Sequence, residues 1–248
     1  MSSPDASTRA TLPPMSPKRP KLTAASARTA LRTANIATLA AAGFKVASWL
    51  PLPDPRARLR PLDQIAARAC ALVTLFFWVA VPQAALPDAD LKKRLDRDDL
   101  RDALTKSEIA IISLRRKDAH EQHVGSIGWR LENVWSLAWI LGFEEVPAFD
   151  GAMIDGGTID AMLDFIGGKR GVAKLLERAT PRPNVDVLAL ADLFYCAHNA
   201  ARSAQLGSKT APRDFNPIAD GGVIHERRHA LSWATAPGVD WDETDLST

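Results

Sequence analysis

An all-α fold is what this chain predicts, and three observations predict it. From Thr23 onward Ala and Leu dominate, and apolar residues recur at the i, i+3, i+4 spacing that lines one face of a helix. The alternation of β-branched and aromatic residues that marks strands is not a feature of this sequence. The punctuation is of the kind that separates helices. Pro51-Leu52-Pro53-Asp54-Pro55 and Pro181-Arg182-Pro183 remove amide donors and bar the helical conformation before each proline. At 248 residues and 46% hydrophobic content the chain can bury a sizeable core. The expectation is a single compact domain of eight or nine helices over residues 23–248, behind a leader of residues 1–22.

The leader holds Pro4, Pro13, Pro14, Pro17 and Pro20 among Ser, Thr and Lys, a composition that cannot bury enough apolar surface to offset chain entropy, so it is expected to be disordered. Lys18-Arg19-Pro20-Lys21 is basic but too short to carry a mechanism beyond charge. Through Arg60 the chain carries ten Lys or Arg against two Asp, although its net charge is only +2, so the remainder is acidic. Such an arm predicts at most weak, non-specific contact with nucleic acid.

The periodicity then predicts helices over 25–42, 62–81, 88–103, 107–117, 121–141, 159–166, 172–179, 185–206 and 223–235. The fourth starts on a capping box, Thr105-Lys106-Ser107-Glu108, in which hydroxyl and carboxylate satisfy each other's backbone amides. The most apolar run, residues 69–81, falls short of the ~20 residues a membrane span needs. Asn35, Thr38, Gly43 and Lys45 interrupt the apolar stretch of 36–46, so no signal peptide and no anchor are expected. Cys70 and Cys196 lie in apolar helical sequence, as buried reduced thiols of a cytoplasmic protein do. Gly167-Gly168-Lys169-Arg170-Gly171 lacks the Walker pattern and a preceding strand, and reads as a loop.

Three of the seven tryptophans fall in Trp129-Arg130-Leu131-Glu132-Asn133-Val134-Trp135-Ser136-Leu137-Ala138-Trp139. At about 100° per residue the apolar side chains cover most of this helix, and Arg130 falls between Leu137 and Leu141, inside the fold. A buried guanidinium needs a partner. On the last helix Glu226 and Arg227 lie within the apolar face of Val223, Ile224, Ala230, Leu231, Trp233 and Ala234, whereas His225, Arg228, His229 and Ser232 turn to solvent. Glu226 is thus the expected carboxylate for Arg130, and Arg227 wants Glu132 or Asp192. Arg130, Glu132, Asp192, Glu226 and Arg227 form the candidate buried polar network. Tyr195, His198, Asn199 and Arg202, beside Asp192, are the candidate lining of a pocket.

His225-Glu226-Arg227-Arg228-His229 formally matches H-E-x-x-H, in which two histidines one turn apart hold zinc and the glutamate activates water. Against a metal site, both intervening residues are cations and no third ligand follows at a familiar spacing. His120 and His123 have no Cys or carboxylate cluster nearby and read as solvated polar residues. No metal and no cofactor are expected.

Four segments together resemble the bacterial domain-of-unknown-function family 4272. They are the entry from Arg28 to Pro53 with Gly43-Phe44 and Leu50-Pro51, the tryptophan-rich block with Leu141-Gly142, Asp192-Leu193-x-Tyr195, and Glu226-Arg227-Arg228-x-Ala230-Leu231-x-Trp233 followed by Asp240-Trp241-Asp242. The resemblance implies a single helical domain and carries no activity, cofactor or substrate. In that pattern the Glu-Arg pair recurs and His225 is incidental. The functional expectation is a cytoplasmic, non-catalytic protein that binds a partner protein through a groove between helices. A metal-dependent hydrolase built on His225 and His229 is the rival, and weak nucleic-acid binding by the leader the third reading.

Overall fold

Residues 24–167 and 171–248 are described by the computed structural model. Among them the helices run in the order α1 (Ala24–Ala41), α2 (Leu62–Ala80), α3 (Asp88–Arg97), α4 (Lys106–Ser113), α5 (Arg116–Ile127), α6 (Trp129–Ile140), α7 (Gly156–Ile166), α8 (Gly171–Arg178), α9 (Asn184–Gln205) and α10 (Ala219–Ala234), with a 3-10 turn at Trp241–Glu243. No strand occurs among the described residues. The leader, residues 1–22, and the centre of the 167–171 loop lie outside them.

Helix α2 is the hub because it is apolar nearly all round, and α3, α4, α5, α6, α7 and α8 all pack against it. By length and composition its 19 residues, with an 18-residue window of mean hydropathy 1.5, could cross a membrane, although the run of residues 69–81 taken alone could not. Two thirds of that window (67%) is buried against the rest of the fold. On its other side α6 lies against α10, α10 against α9, and α9 against α1. The apolar side chains buried between these helices join in one cluster, from Leu39 and Phe44 through Leu72 and Leu137 to Trp241.

Helices α7 and α10 begin at Gly156 and Ala219, earlier than expected, and three breaks differ from the sequence reading, each for a local reason. The expected helix over 88–103 stops at Arg97, where Asp99 adopts φ 50° and the Leu100 amide bonds back to the Leu95 carbonyl at 2.9 Å. Aspartate is among the few residues that tolerate this left-handed turn. The chain then breaks at Leu114 and Arg115, both extended, instead of near residue 118. That break lets Arg116 turn back and donate to the Trp78 carbonyl at 3.1 Å, the Phe77 carbonyl at 2.9 Å, and the carbonyls of Val81 and Leu86. Finally, the expected helix over 121–141 is two helices, α5 and α6, parted at Gly128, a residue of poor helix propensity. The capping box forms as predicted: the Glu108 amide donates to Thr105 Oγ1 at 3.3 Å and the Thr105 amide to Glu108 Oε2 at 3.0 Å.

Arginine closes the loops of this fold. Each of five tryptophans carries an arginine near its ring: Trp78 with Arg116, Trp135 with Arg227, Trp139 with Arg182, Trp233 with Arg60 and Trp241 with Arg68. The indole accepts the guanidinium face while the in-plane donors reach backbone carbonyls. Arg60, for example, lies 4.1 Å from the Trp233 centroid and donates to the carbonyls of Ala236 at 2.9 Å and Val239 at 2.7 Å.

Candidate functional site

The α6–α10 seam gathers most of the polar residues that the sequence places inside the fold, and the structure divides the five network candidates among three separate clusters. In the first, Arg227 Nε donates to Glu132 Oε2 at 2.8 Å, and both side chains are 0% exposed. The Ile154 amide donates to Glu132 Oε1 at 3.0 Å, while Arg227 reaches the carbonyls of Ala148 and, at 2.7 Å, Ala152. Burial pushes the Arg227 pKa down, against the opposing pull of Glu132.

The second cluster holds Asp192, whose partner is Arg32 of α1 and not Arg227. Arg32 Nη2 lies 2.6 Å from Asp192 Oδ1, its Nε bonds both carboxylate oxygens, and its remaining donors meet the carbonyls of Leu50 and Pro51. Asn35 adds a bond to Asp192 Oδ2 at 2.9 Å. Burial lowers the Arg32 pKa, but Asp192 outweighs it and the net direction is up. This cluster pins α1 and the connection after it onto α9.

Arg130 and Glu226 belong to the third cluster, and here the sequence expectation is corrected. Their side chains are 31% and 21% exposed, and Arg130 Nη1 stands 3.9 Å from Glu226 Oε2. Arg130 Nε is 3.8 Å from Glu108 Oε1. The tight bond in this cluster is Arg68 to Glu108, at 2.6 and 2.9 Å with both side chains buried. Burial raises the Glu108 pKa, yet Arg68 outweighs it and the carboxyl sits below its ordinary range. Arg68 was missed by periodicity, although a cation inside the apolar run that begins at Ile65 was a signal.

His225, Arg228, His229 and Ser232 do not face solvent as expected. Arg228 is buried and the other three are half-buried, because the chain beyond α10 folds back over them. The His229 ring lies 4.3 Å from the Trp241 ring, its Nε2 bonding the Trp241 carbonyl at 2.9 Å. Arg228 donates to the carbonyls of Leu246 and Ser247 at 2.8 and 2.9 Å, and to His198 Nδ1. His198 Nε2 then meets His225 Nδ1 at 3.2 Å. Burial, with Arg228 alongside, pushes the His198 pKa down to about 3, and burial lowers those of His225 and His229.

Of the pocket candidates, His198 and Asn199 are buried, with Asn199 Oδ1 accepting from the Ala47 amide at 3.1 Å. Tyr195 is half-buried between the guanidiniums of Arg32 and Arg228, and Arg202 is exposed. Neither these four residues nor Asp192 lines the clefts at the Trp241 turn or at the α4–α5 junction. Among the described residues no group of three or more His, Cys, Asp or Glu is placed to hold a metal ion.

A family model matches residues 31–244. The chain belongs to the DUF4272 family, a domain of unknown function. No curated protein and no solved structure matches it. The DUF4272 span takes in all three charge clusters and the Trp241 turn, and ends before the Leu246 and Ser247 carbonyls that Arg228 holds.

Within that span a cleft of about 680 Å³ opens between the start of α2, the α3–α4 connection and the Trp241 turn. Its base includes Trp233, Trp241 and Arg68. Seven carboxylates line it, with Asp99, Asp102, Asp242 and Glu243 exposed among them, against the three cations Arg60, Arg68 and Lys106. Arg60 and Arg68 are already bonded into the walls, so the electrostatic character of the opening is negative.

Proposed function

We propose that this DUF4272 chain is a non-catalytic binding protein that seats a cationic segment of a partner protein in the acidic cleft beside Trp241. The observation that carries the reading is the lining itself: seven carboxylates around an opening whose two buried cations are already paired or bonded to carbonyls. A volume of about 680 Å³ suits one or two long side chains, and an anionic concavity raises the encounter rate of a cationic partner. The two free buried thiols, Cys70 and Cys196, support a cytoplasmic setting.

Several features weigh against the hydrolase. In a zinc hydrolase the glutamate of H-E-x-x-H must face the metal-bound water. Here Glu226 is directed to Arg130, His229 Nε2 is held by a backbone carbonyl, and His225 is engaged with His198. The binding reading is tested with a fluorescently labelled arginine-rich decapeptide. Anisotropy should show binding that weakens as salt is raised and disappears in the Asp102→Lys/Asp242→Lys variant, both positions being exposed. Binding unchanged by that charge reversal, or absent at low salt, overturns it.

A further inference from the structure

A second cleft, of about 660 Å³, has the opposite character. It opens where α3 meets the α4–α5 junction, and its cations are Lys92, Arg101, Arg115, Arg116 and Lys117 against the single carboxylate of Asp88. Arg116 is a structural member, buried and bonded to four carbonyls. The other four are exposed and come from three places in the chain: α3, the α3–α4 connection and the start of α5. Arg101 pairs with Asp96 at 3.1 Å and Arg115 with Asp118 at 2.7 Å, exposed contacts that exchange readily with water.

Two further features belong to the same cleft. The cleft includes the N-terminus of α5, a helix of 12 residues whose N-cap, Arg115, offers no side-chain acceptor to the first amides. Such an end carries unsatisfied N–H groups and a positive dipole. The cleft is also lined by Trp78, which is 3% exposed and whose indole N–H has no acceptor among the described residues. A buried donor without a partner is unfavourable, and a small turn of the ring toward the cleft would give it a bound oxyanion as acceptor.

We propose that this cleft binds the phosphate group of a small phosphate monoester. A dianion with three acceptor oxygens matches exposed Lys and Arg side chains, open helix amides and an indole N–H better than a monoanion does. The volume far exceeds one phosphate, and Ile112 and Leu114 offer apolar wall for the organic part. This site is independent of the acidic cleft.

The test is nuclear magnetic resonance of the ¹⁵N-labelled full chain titrated with phenyl phosphate and, separately, with inorganic phosphate. The Trp78 indole signal is assigned by its loss in Trp78→Phe. Phenyl phosphate should shift that signal and the amides of Arg116, Lys117 and Asp118, with a dissociation constant below about 1 mM. Inorganic phosphate should shift the same signals about tenfold more weakly, and Arg101→Gln/Lys117→Gln should weaken both by about tenfold, as loss of charge-assisted contacts dictates. No shift with either probe, or shifts unaffected by the double substitution, overturns the site. Equal affinity for the two probes overturns the monoester assignment.

Discussion

Two charge pairs cross the same helix seam and differ in almost every physical respect. Arg227 and Glu132 bond at 2.7 Å with no exposure of either side chain, whereas Arg130 and Glu226, their near neighbours on the same two helices, stand 3.9 Å apart and partly open to water. What separates them is what lies overhead. The connection that follows α6 folds across Arg227 and offers it the Ala148 and Ala152 carbonyls and Glu132 the Ile154 amide. Arg130 has no such cover, and the carboxylate nearest to it besides Glu226 is that of Glu108, already tied to Arg68. Depth in this fold is therefore conferred by loops as much as by the helix faces.

The largest effect should come from the sealed pair. Arg227→Ala leaves Glu132 charged and enclosed, and should destabilise the protein by about 3–5 kcal/mol, read from chemical denaturation midpoints. Glu132→Leu/Arg227→Met should restore most of that loss, since apolar residues of similar size remove the uncompensated charge. A double variant no better than the single would show that the carbonyl contacts, and not the ion pair, hold the seam.

Trp241 tests the idea that covers decide depth. It is 6% exposed, packs against the tilted His229 ring and edge-on against Trp233, and lies under the Arg68 guanidinium 4.0 Å from its centroid. Trp241→Ala should lower stability by about 3 kcal/mol and speed amide exchange in the last turn of α10. Deleting residues 239–248 should reproduce most of the loss. An unchanged melting temperature in both variants would show that the tail contributes no cover.

Much of this arrangement could be read before any coordinates, and the omissions share a cause. Periodicity marks the all-helical class, the apolar ring around α2 and the apolar face of Val223, Ile224, Ala230, Leu231 and Trp233, because each is a property of one helix. The capping box is legible for the same reason: its partners are three residues apart. That the Trp241 segment folds back is legible too, because an indole left in solvent would expose a large apolar surface. A wheel cannot show that this segment lands on His229 and Arg228, or that Arg32, 160 positions away, reaches Asp192. The two clefts were invisible too, since their walls come from elements far apart in sequence.

Acid should strain the covered side of the seam. His198 has a folded pKa near 3, below the ~6.5 of the unfolded chain. As pH falls through about 6.5 the unfolded state takes up a proton that the folded state refuses, so stability declines from there down to about 3. Arg228 on α10 disfavours the charged ring, as do His225 beside it and Arg202 on α9, and the depressed pKa of His225 acts in the same direction. The decline should reach on the order of a few kcal/mol and flatten in His198→Gln. A pH-stability curve for that variant identical to the parent's would remove His198 from the account.

The smallest effect belongs to Arg130. Its two contacts, at 3.8 and 3.9 Å, are longer than charge-assisted hydrogen bonds, and its side chain is nearly one-third exposed. Arg130→Ala leaves Glu108 with Arg68 and the Thr105 amide; in Glu226 the Oε2 that faces Arg130 is buried, but the side chain is 21% exposed and can turn its charge to water. The cost should be about 1 kcal/mol or less. A double-mutant cycle on Arg130 and Glu226 should give a coupling smaller than that of Arg227 and Glu132, with added salt reducing the first more than the second. If Arg130→Ala proved as damaging as Arg227→Ala, exposure would not be what distinguishes the two pairs. The Glu108–Arg130–Glu226 sequence of charges would then have to act as one coupled unit across α4, α6 and α10, which a cycle including Glu108→Gln would reveal.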